Sequence, residues 1–331
     1  MIFVTAAFAG LPTVANVFIW IGIALAVSGL LMIPLSFIVA SYFVYTLTLR
    51  RKTPDQWDGD PAKLKDDYLS MDKEGMEWFD SHSYAKKDVH IVRNGLNLYG
   101  EYFDFGNKKC MIFMSGRTEN HRYGYYFAKP YGESGYNVLV VDPRAHGKSD
   151  GEFNTVGFEE SGDILEWARF IHDSFGVEHI IFHGICIGAA GAVFALTSKD
   201  CPEYIRGMIA EGMYPNFGES MKNHLIERKK PVKGLYPLIN AWMKHYTGYS
   251  MNVGPIDVIG ELKTPILMLH SKEDLYSTPE YAEKLFDKIP HENKTLVWFE
   301  TGRHSMLRPT HTEKYDGAIK KFIFETENAL V

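Results

Sequence analysis

The stretch HGICIGAAGA, residues 183–192, has the spacing glycine-x-nucleophile-x-glycine, with Cys186 at the nucleophile position. It joins an apolar run, HIIFH at 179–183, to the helix-like segment IGAAGAVFAL at 187–196. This order predicts a strand, a sharp strained turn and a helix. A side chain at either glycine position would collide with the neighbouring strand or helix. We therefore expect Cys186 at the N-terminus of the helix, whose dipole stabilises a thiolate.

Short apolar runs alternate with amphipathic segments over most of the remaining chain. The runs predicted as strands are 110–114, 137–142, 179–183, 207–212, 265–270 and 295–300. Such alternation predicts βαβ units and a mostly parallel sheet with helices on both faces. An Asn94-Gly95 pair between two alternating runs predicts a β-hairpin ahead of this sheet.

One interval, about 213–258, is too long for a structureless loop in a compact domain. It is rich in apolar and aromatic residues. We predict a helical cap inserted over the strand ends, and a packed helix with no part in binding is the alternative.

A nucleophile of this kind needs a base, and the base needs a carboxylate that orients it. The segment LMLHSKEDLYSTPE ends a predicted strand and places Asp274 in the loop that follows. The segment VWFETGRHSML does the same for His304. Because parallel sheets keep their sites at the carboxyl ends of strands, we predict that these two residues serve Cys186. Glu273 competes with Asp274 for the acid role.

An oxyanion hole for this nucleophile requires two backbone N–H groups. One comes from the residue after the nucleophile, which is Ile187. The other comes from the loop MSGRTENHRYG, where Arg117 and Thr118 are the candidates. The Arg117 side chain either meets an anionic substrate or is simply solvated.

The composition excludes several classes of function. The 331 residues carry a net charge of −6, so no nucleic-acid-binding surface is predicted. The three cysteines form no C-x-x-C pair, which excludes a disulfide framework and a cysteine-rich zinc site. The thirteen histidines include no H-E-x-x-H run. We predict neither a cofactor nor a metal.

The first 49 residues contain no charged side chain, and the apolar run 14–48 exceeds the roughly 20 residues that cross a bilayer. We predict one membrane-spanning helix within an anchor at 1–52, followed by a linker helix at 53–86. Arg50, Arg51 and Lys52 follow the apolar run, so the positive-inside rule places the following domain in the cytoplasm. Removal of residues 1 to about 50 is expected to leave a soluble, folded domain.

From residue 89 to the C-terminus the chain resembles the α/β-hydrolase superfamily. Four motifs in the family's order carry the resemblance. They are VLVVDPRAHGKSDG (138–151), HGICIGAAGA (183–192), LHSKEDLYSTP (269–279) and GRHSM (302–306). The resemblance implies an α/β-hydrolase domain over 87–331. More narrowly, the chain is similar to membrane-anchored hydrolases of Gram-positive bacteria that carry one N-terminal helix.

Two positions depart from the family's pattern. Ser115 stands where the family usually has histidine, and Cys186 stands where it usually has serine. In its cysteine the chain resembles dienelactone hydrolases, which open lactones with a Cys-His-Asp triad. The resemblance also implies that Asp142, Arg144 and His146 are mainly structural.

These observations predict a hydrolase of carboxylic esters, lactones or thioesters, whose partner is a small and apolar acyl substrate. A peptidase or acyltransferase on the same triad is the alternative enzyme. A membrane-tethered scaffold without activity, with Cys186 as a packing or redox residue, is the alternative of a different class.

Overall fold

The computed structural model describes residues 13–60, 62, 64 and 66–328. Residues 1–12, where the predicted anchor begins, and 329–331 lie outside the described residues. The described residues form an eight-stranded sheet in the order β1-β2-β4-β3-β5-β6-β7-β8. The strands are β1 Lys86–Arg93, β2 Leu96–Phe103, β3 Lys109–Met114, β4 Asn137–Val141, β5 His179–Ile185, β6 Ile205–Glu211, β7 Ile266–Ser271 and β8 Lys294–Phe299.

The strand pairing agrees with the predicted architecture. β1, β2 and β4 pair antiparallel, and every neighbour from β4 to β8 is parallel. The predicted hairpin is confirmed, because Asn94 and Gly95 have φ of 51° and 75° at the turn between β1 and β2. All six strands predicted after the hairpin are present. β5 extends to Ile185, since its backbone continues the ladder up to the turn at Cys186.

Helices cover both faces of the sheet, as predicted. The α-helices of the described chain are α1 Thr13–Leu49, α2 Asp66–His82, α3 His121–Phe127, α4 Lys129–Gly132, α5 Phe158–Phe175, α6 Ile187–Leu196, α7 Phe217–Glu227, α8 Val232–Thr247, α9 Pro255–Val258, α10 Pro279–Lys288, α11 Leu307–Thr310 and α12 Thr312–Asn328. Successive residues of β3 point to opposite faces, so Phe113 enters one apolar core and Ile112 the other.

The interval between β6 and β7 holds α7, α8 and the short α9. Asn216 caps α7, with its side chain accepting the Glu219 N–H at 3.1 Å. α8 buries Leu235, Ile239 and Met243 along one side, at the spacing of an amphipathic helix. The helices thus bury one face against the body of the domain.

α1 continues through Pro34 as a single helix, in agreement with the prediction of one helix in this segment. Among the described residues, only this helix is long and apolar enough to cross a membrane. Residues 24–36 are exposed throughout, whereas Tyr45 and Leu49 are fully buried. We call residues 14–36 the free half of α1 and residues 37–49 its docked half.

The docked half of α1 packs along α8. The Trp242 indole Nε1–H donates to Ser41 Oγ at 3.0 Å, and the Tyr45 ring stacks on Tyr246 with centroids 5.6 Å apart. Beyond the helix, the Asn154 N–H donates to the Leu49 carbonyl at 2.9 Å. A truncation at residue 50 would therefore remove part of the core, because the docked half belongs to the body of the domain.

The segment predicted as a linker also packs against the domain. Asp72 of α2 accepts three hydrogen bonds from the Arg122 guanidinium, two at 3.0 Å and one at 3.2 Å. Met71 is buried, and the Trp57 ring stacks on His146 with centroids 4.6 Å apart. These contacts bring the segment that follows α1 next to the loop after β3.

Candidate active site

Cys186 occupies the turn between β5 and α6. Its φ of 53° and ψ of −110° are strained for a residue with a side chain, and it precedes the first turn of α6. A Cβ at Gly184 would lie 2.5 Å from Ala189 N, and one at Gly188 would lie 2.2 Å from the Met114 carbonyl oxygen. The two glycines are required for the reason that the sequence predicts, namely close backbone contact on both sides of the turn.

Asp274 and His304 form a hydrogen-bonded pair in the loops after β7 and β8. The Asp274 Oδ2 lies 2.7 Å from His304 Nδ1. The other oxygen, Oδ1, accepts the backbone N–H groups of Tyr276 and Ser277 at 2.8 and 2.9 Å. These bonds hold the carboxylate in place, so that it fixes the orientation of the imidazole.

The interaction between Asp274 and His304 shifts their pKa values in opposite directions. Burial lowers the pKa of His304, but Asp274 and Cys186 outweigh burial and raise this pKa well above its usual value. Burial raises the pKa of Asp274, but His304 outweighs burial and the net shift is downward. The arrangement favours an imidazolium beside the cysteine and an ionised aspartate behind it. Glu273, the competing acid, instead accepts the Gly302 N–H at 3.2 Å.

Two of the predicted oxyanion donors lie close to Cys186. Ile187 begins α6, so its N–H has no carbonyl partner within the helix. A Cβ at Gly116, the residue before Arg117, would lie 3.6 Å from Cys186 Cβ. The Thr118 N–H already donates to His146 Nε2 at 3.3 Å. The geometry therefore favours the Arg117 N–H over that of Thr118 as the second donor.

Asp142, Arg144 and His146 are engaged within the framework behind this loop. Asp142 accepts the backbone and ring N–H groups of His121, each at 2.8 Å. Arg144 makes a two-pronged ion pair with Asp163 at 2.7 and 2.8 Å. These side chains fix the loops around the site instead of facing Cys186.

Two polar groups near Cys186 were not predicted from the sequence. Glu119 Oε2 and the Tyr214 hydroxyl are buried and lack a hydrogen-bond partner in the described part of the chain. Burial raises the pKa of Glu119 to about 7, although Arg117 and His304 lower it. Burial also raises the pKa of Tyr214, and Cys186 acts in the same direction. Their one sequence signal is position, since both follow the carboxyl end of a strand.

α7, the first helix of the interval between β6 and β7, lies beside the site. Burial, together with the charges of Arg117 and His304, lowers the pKa of His224 in this helix to about 3. The Tyr276 ring stacks on His224 with centroids 3.7 Å apart and meets the His304 ring edge-on at 5.6 Å. α7 and the loop after β7, which carries Asp274, thus enclose His304, whose side chain is 12% exposed.

Behind the site, Glu211 at the end of β6 is fully buried. Its carboxylate accepts the Tyr315 hydroxyl at 2.6 Å and the Leu307 N–H at 3.3 Å, and its carbonyl accepts the Cys186 N–H at 2.9 Å. Burial raises the pKa of Glu211 to about 7, although the Tyr315 and Leu307 hydrogen bonds lower it. This carboxyl supports the turn of Cys186 from beneath.

The buried Glu211 gives a pH-dependent prediction. Because its pKa is raised to about 7 from the ordinary value of 4.5, the folded state retains a proton that the unfolded state releases between those values. This group's contribution to stability therefore falls as pH rises through that window. Glu211→Gln keeps the hydrogen-bond acceptor and cannot ionise. The free energy of unfolding of the variant, relative to the parent, should rise by roughly 3 kcal/mol from pH 5 to pH 8.

The measurement is urea unfolding of the detergent-solubilised full chain, followed by tryptophan fluorescence at both pH values. Glu203→Gln is the matched control, because Glu203 is exposed and its replacement should change stability equally at both pH values. A Glu211→Gln difference that stays constant between pH 5 and pH 8 would contradict the assignment.

Among the described residues, no group of three or more His, Cys, Asp or Glu side chains is placed to hold a metal ion.

Comparison with known proteins agrees with this geometry. Residues 109–237 match the family described as alpha/beta hydrolase fold. The solved structure of the Pyrococcus furiosus esterase Pf2001 superposes with a TM-score of 0.63 and 22% identity, covering 75% of this chain and 94% of the esterase. This chain has the α/β-hydrolase fold. The predicted fold class is confirmed. In this fold Cys186, Asp274 and His304 follow parallel strands, whose carboxyl ends lie at one edge of the sheet.

Two further matches extend the comparison. Residues 256–310 of this chain match the family described as Serine aminopeptidase, S33. The uncharacterized protein YqkD of Bacillus subtilis is 26% identical over 79% of this chain and 87% of its own length. Human protein ABHD12B is 24% identical over 60% of this chain and 56% of its own length.

Proposed function

We propose that this protein is a membrane-anchored hydrolase that cleaves a carboxylic ester, lactone or thioester through Cys186. The observation that carries the proposal is the His304–Asp274 pair at 2.7 Å, in the loops after β7 and β8 at the same edge of the sheet as the strained turn of Cys186. A helix N-terminus, a base and an oriented carboxylate are the three parts that activate a thiol nucleophile.

The reaction follows from these positions. The Cys186 thiol gives its proton to His304 while its sulfur attacks the acyl carbonyl, whose oxygen becomes an oxyanion that accepts the N–H groups of Ile187 and Arg117. His304 then gives this proton to the leaving alcohol or thiol, which departs as its bond to the acyl carbon breaks and leaves a thioester on Cys186. Water attacks this thioester while His304 takes one of its protons. The carbon–sulfur bond then breaks, the carboxylic acid leaves, and His304 returns the proton to the Cys186 sulfur. Asp274 holds the His304 tautomer throughout.

The free half of α1 supports the anchor. It is apolar and exposed, which is unfavourable in water and favourable in lipid. Arg50, Arg51 and Lys52 lie on the domain side of α1, and we propose on that ground that the domain is cytoplasmic. Protease added to intact cells should then leave the domain uncut, and its digestion with the membrane intact would reverse the orientation.

Selective alkylation of Cys186 tests the nucleophile. Burial raises the pKa of Cys201 to about 11 and raises that of Cys110 further, so neither should react near neutral pH. With the full chain in detergent at about pH 6, iodoacetamide should modify Cys186 at least about tenfold faster than the other two cysteines. His304→Ala should slow this reaction, because the imidazolium no longer stabilises the thiolate.

Mass spectrometry of the three cysteine peptides gives the rates. Equal modification of all three cysteines would favour the scaffold instead of the enzyme. A panel of acyl esters of varied chain length then identifies the substrate class.

A peptidase is the second candidate. Its support is the match of residues 256–310, which include Asp274 and His304, to the serine aminopeptidase family. An aminoacyl amide in the same substrate panel separates the two, since a peptidase should cleave it at a rate comparable with the matching ester.

A further inference from the structure

The docked half of α1 and α8 run side by side in the same direction. A Cβ at Gly234 would meet the Phe37 ring at 2.4 Å, near the start of both segments. Further along, Tyr45 stacks on Tyr246. The N-terminal end of α8 is therefore level with Phe37, which is the point where the free half of α1 leaves the domain.

The length of the free half sets the position of the membrane. At 1.5 Å per residue, residues 14–36 span roughly 34 Å, which matches a hydrocarbon core of about 30 Å. The free half is thus sufficient to cross the bilayer by itself. The docked half then lies outside the bilayer, and the N-terminal end of α8 lies at the membrane surface.

Four cations cluster at this end of the cap. Arg228, Lys229 and Lys230 form the turn between α7 and α8, and Lys233 lies in the first turn of α8. We call these four residues the basic collar. All four are exposed, and within the described chain no carboxylate forms an ion pair with any of them.

The basic collar keeps a net positive charge, because its four cations have one acid, Glu227, next to them along the chain. Glu227, which precedes Arg228, accepts a hydrogen bond from the hydroxyl of Tyr276 in the loop after β7, at 2.7 Å. Ile226 beside the collar is 62% exposed, so an apolar side chain accompanies the cations. Clustered cations with an exposed aliphatic residue next to a membrane-spanning helix are suited to anionic headgroups.

We propose that the basic collar binds the anionic phospholipid headgroups of the membrane that α1 crosses. The proposal rests on the membrane anchor of the proposed function. α1 determines the distance between the collar and the bilayer surface. Binding of the collar then fixes the rotation of the domain about the axis of α1. The cap helix α7, which carries His224 toward the site, is thereby held against the bilayer by its C-terminal end.

Lysine footprinting tests the collar directly. The full chain is reconstituted into phosphatidylcholine vesicles with or without about 30% phosphatidylglycerol, and a membrane-impermeant acetylating reagent is added. Mass spectrometry then gives the acetylation rate of each lysine. We expect the rates at Lys229, Lys230 and Lys233 to fall at least about threefold in the anionic vesicles and to recover in high salt.

Lys244 is the matched internal control. It lies on the same helix as Lys233 and is also exposed, and the spacing of eleven residues places both on one helix face. Lys244 is about 16 Å farther along the axis, which is two Debye lengths at physiological salt, so its rate should not change. Lys233→Glu should weaken the protection of Lys229 and Lys230, whereas Lys244→Glu should leave it intact.

The outcomes separate the collar from the anchor. Equal acetylation in both vesicle types, or equal slowing of Lys233 and Lys244, would overturn the collar while the anchor stands. A chain that does not float with vesicles after a carbonate wash would overturn the anchor, and the collar with it.

Discussion

Cys186→Ala is expected to reduce ester hydrolysis by about 10⁴-fold or more, to the residual rate that oxyanion binding alone supplies. The variant removes the sulfur that the proposed mechanism acylates, and it leaves in place the side chains of the His304–Asp274 hydrogen bond. Alanine fits the same turn, because the strain at φ 53° arises at Cβ, an atom that cysteine and alanine share. Initial rates on the best ester of the panel measure the loss.

Cys201→Ala is the matched control, because it removes a cysteine thiol outside the site and should retain full activity. Cys186→Ser should keep part of the activity, since the donors of the oxyanion hole and the base are those that a serine nucleophile uses. Hydrolysis by Cys186→Ala at the parent rate would remove Cys186 from the mechanism.

A chain that lacks only the free half of α1 should be much more stable than a chain that lacks both halves. A chain that begins at residue 37 keeps the docked half and should fold, with an unfolding temperature within a few degrees of the parent. A chain that begins at residue 53 loses Tyr45 and Leu49, both fully buried, and uncovers their partners on α8. The lost burial amounts to at least about 5 kcal/mol, comparable with the whole stability of a domain.

Thermal unfolding of both truncated chains in the same detergent measures this difference. Leu49→Ala and Leu47→Ala form a matched pair within the full chain, because Leu49 is 0% exposed and Leu47 is 69% exposed. The first should cost about 2–5 kcal/mol and the second no more than about 0.5 kcal/mol. A stable, cooperative domain that begins at residue 53 would show that the docked half contributes little.

The core of the candidate site was predictable because its signals are local. The spacing around Cys186 encodes a strand, a turn and a helix within ten residues, and the observed φ and glycine contacts agree. The loops of Asp274 and His304 follow apolar runs, and a parallel sheet brings such loops to one edge. Periodicity and turn chemistry act over a few residues, so they can be read directly from the chain.

By itself the sequence determined the order of strands and helices, the strained turn of Cys186, the loops of Asp274 and His304, and the apolar span of α1. Only the tertiary structure decided which half of α1 is free. It also brought Glu119 and Tyr214 to the thiol, and left the Thr118 N–H occupied by His146. The physical reason is the distance along the chain between the partners. The contact of Tyr45 with Tyr246 depends on shape and burial between remote segments, and no local pattern records it.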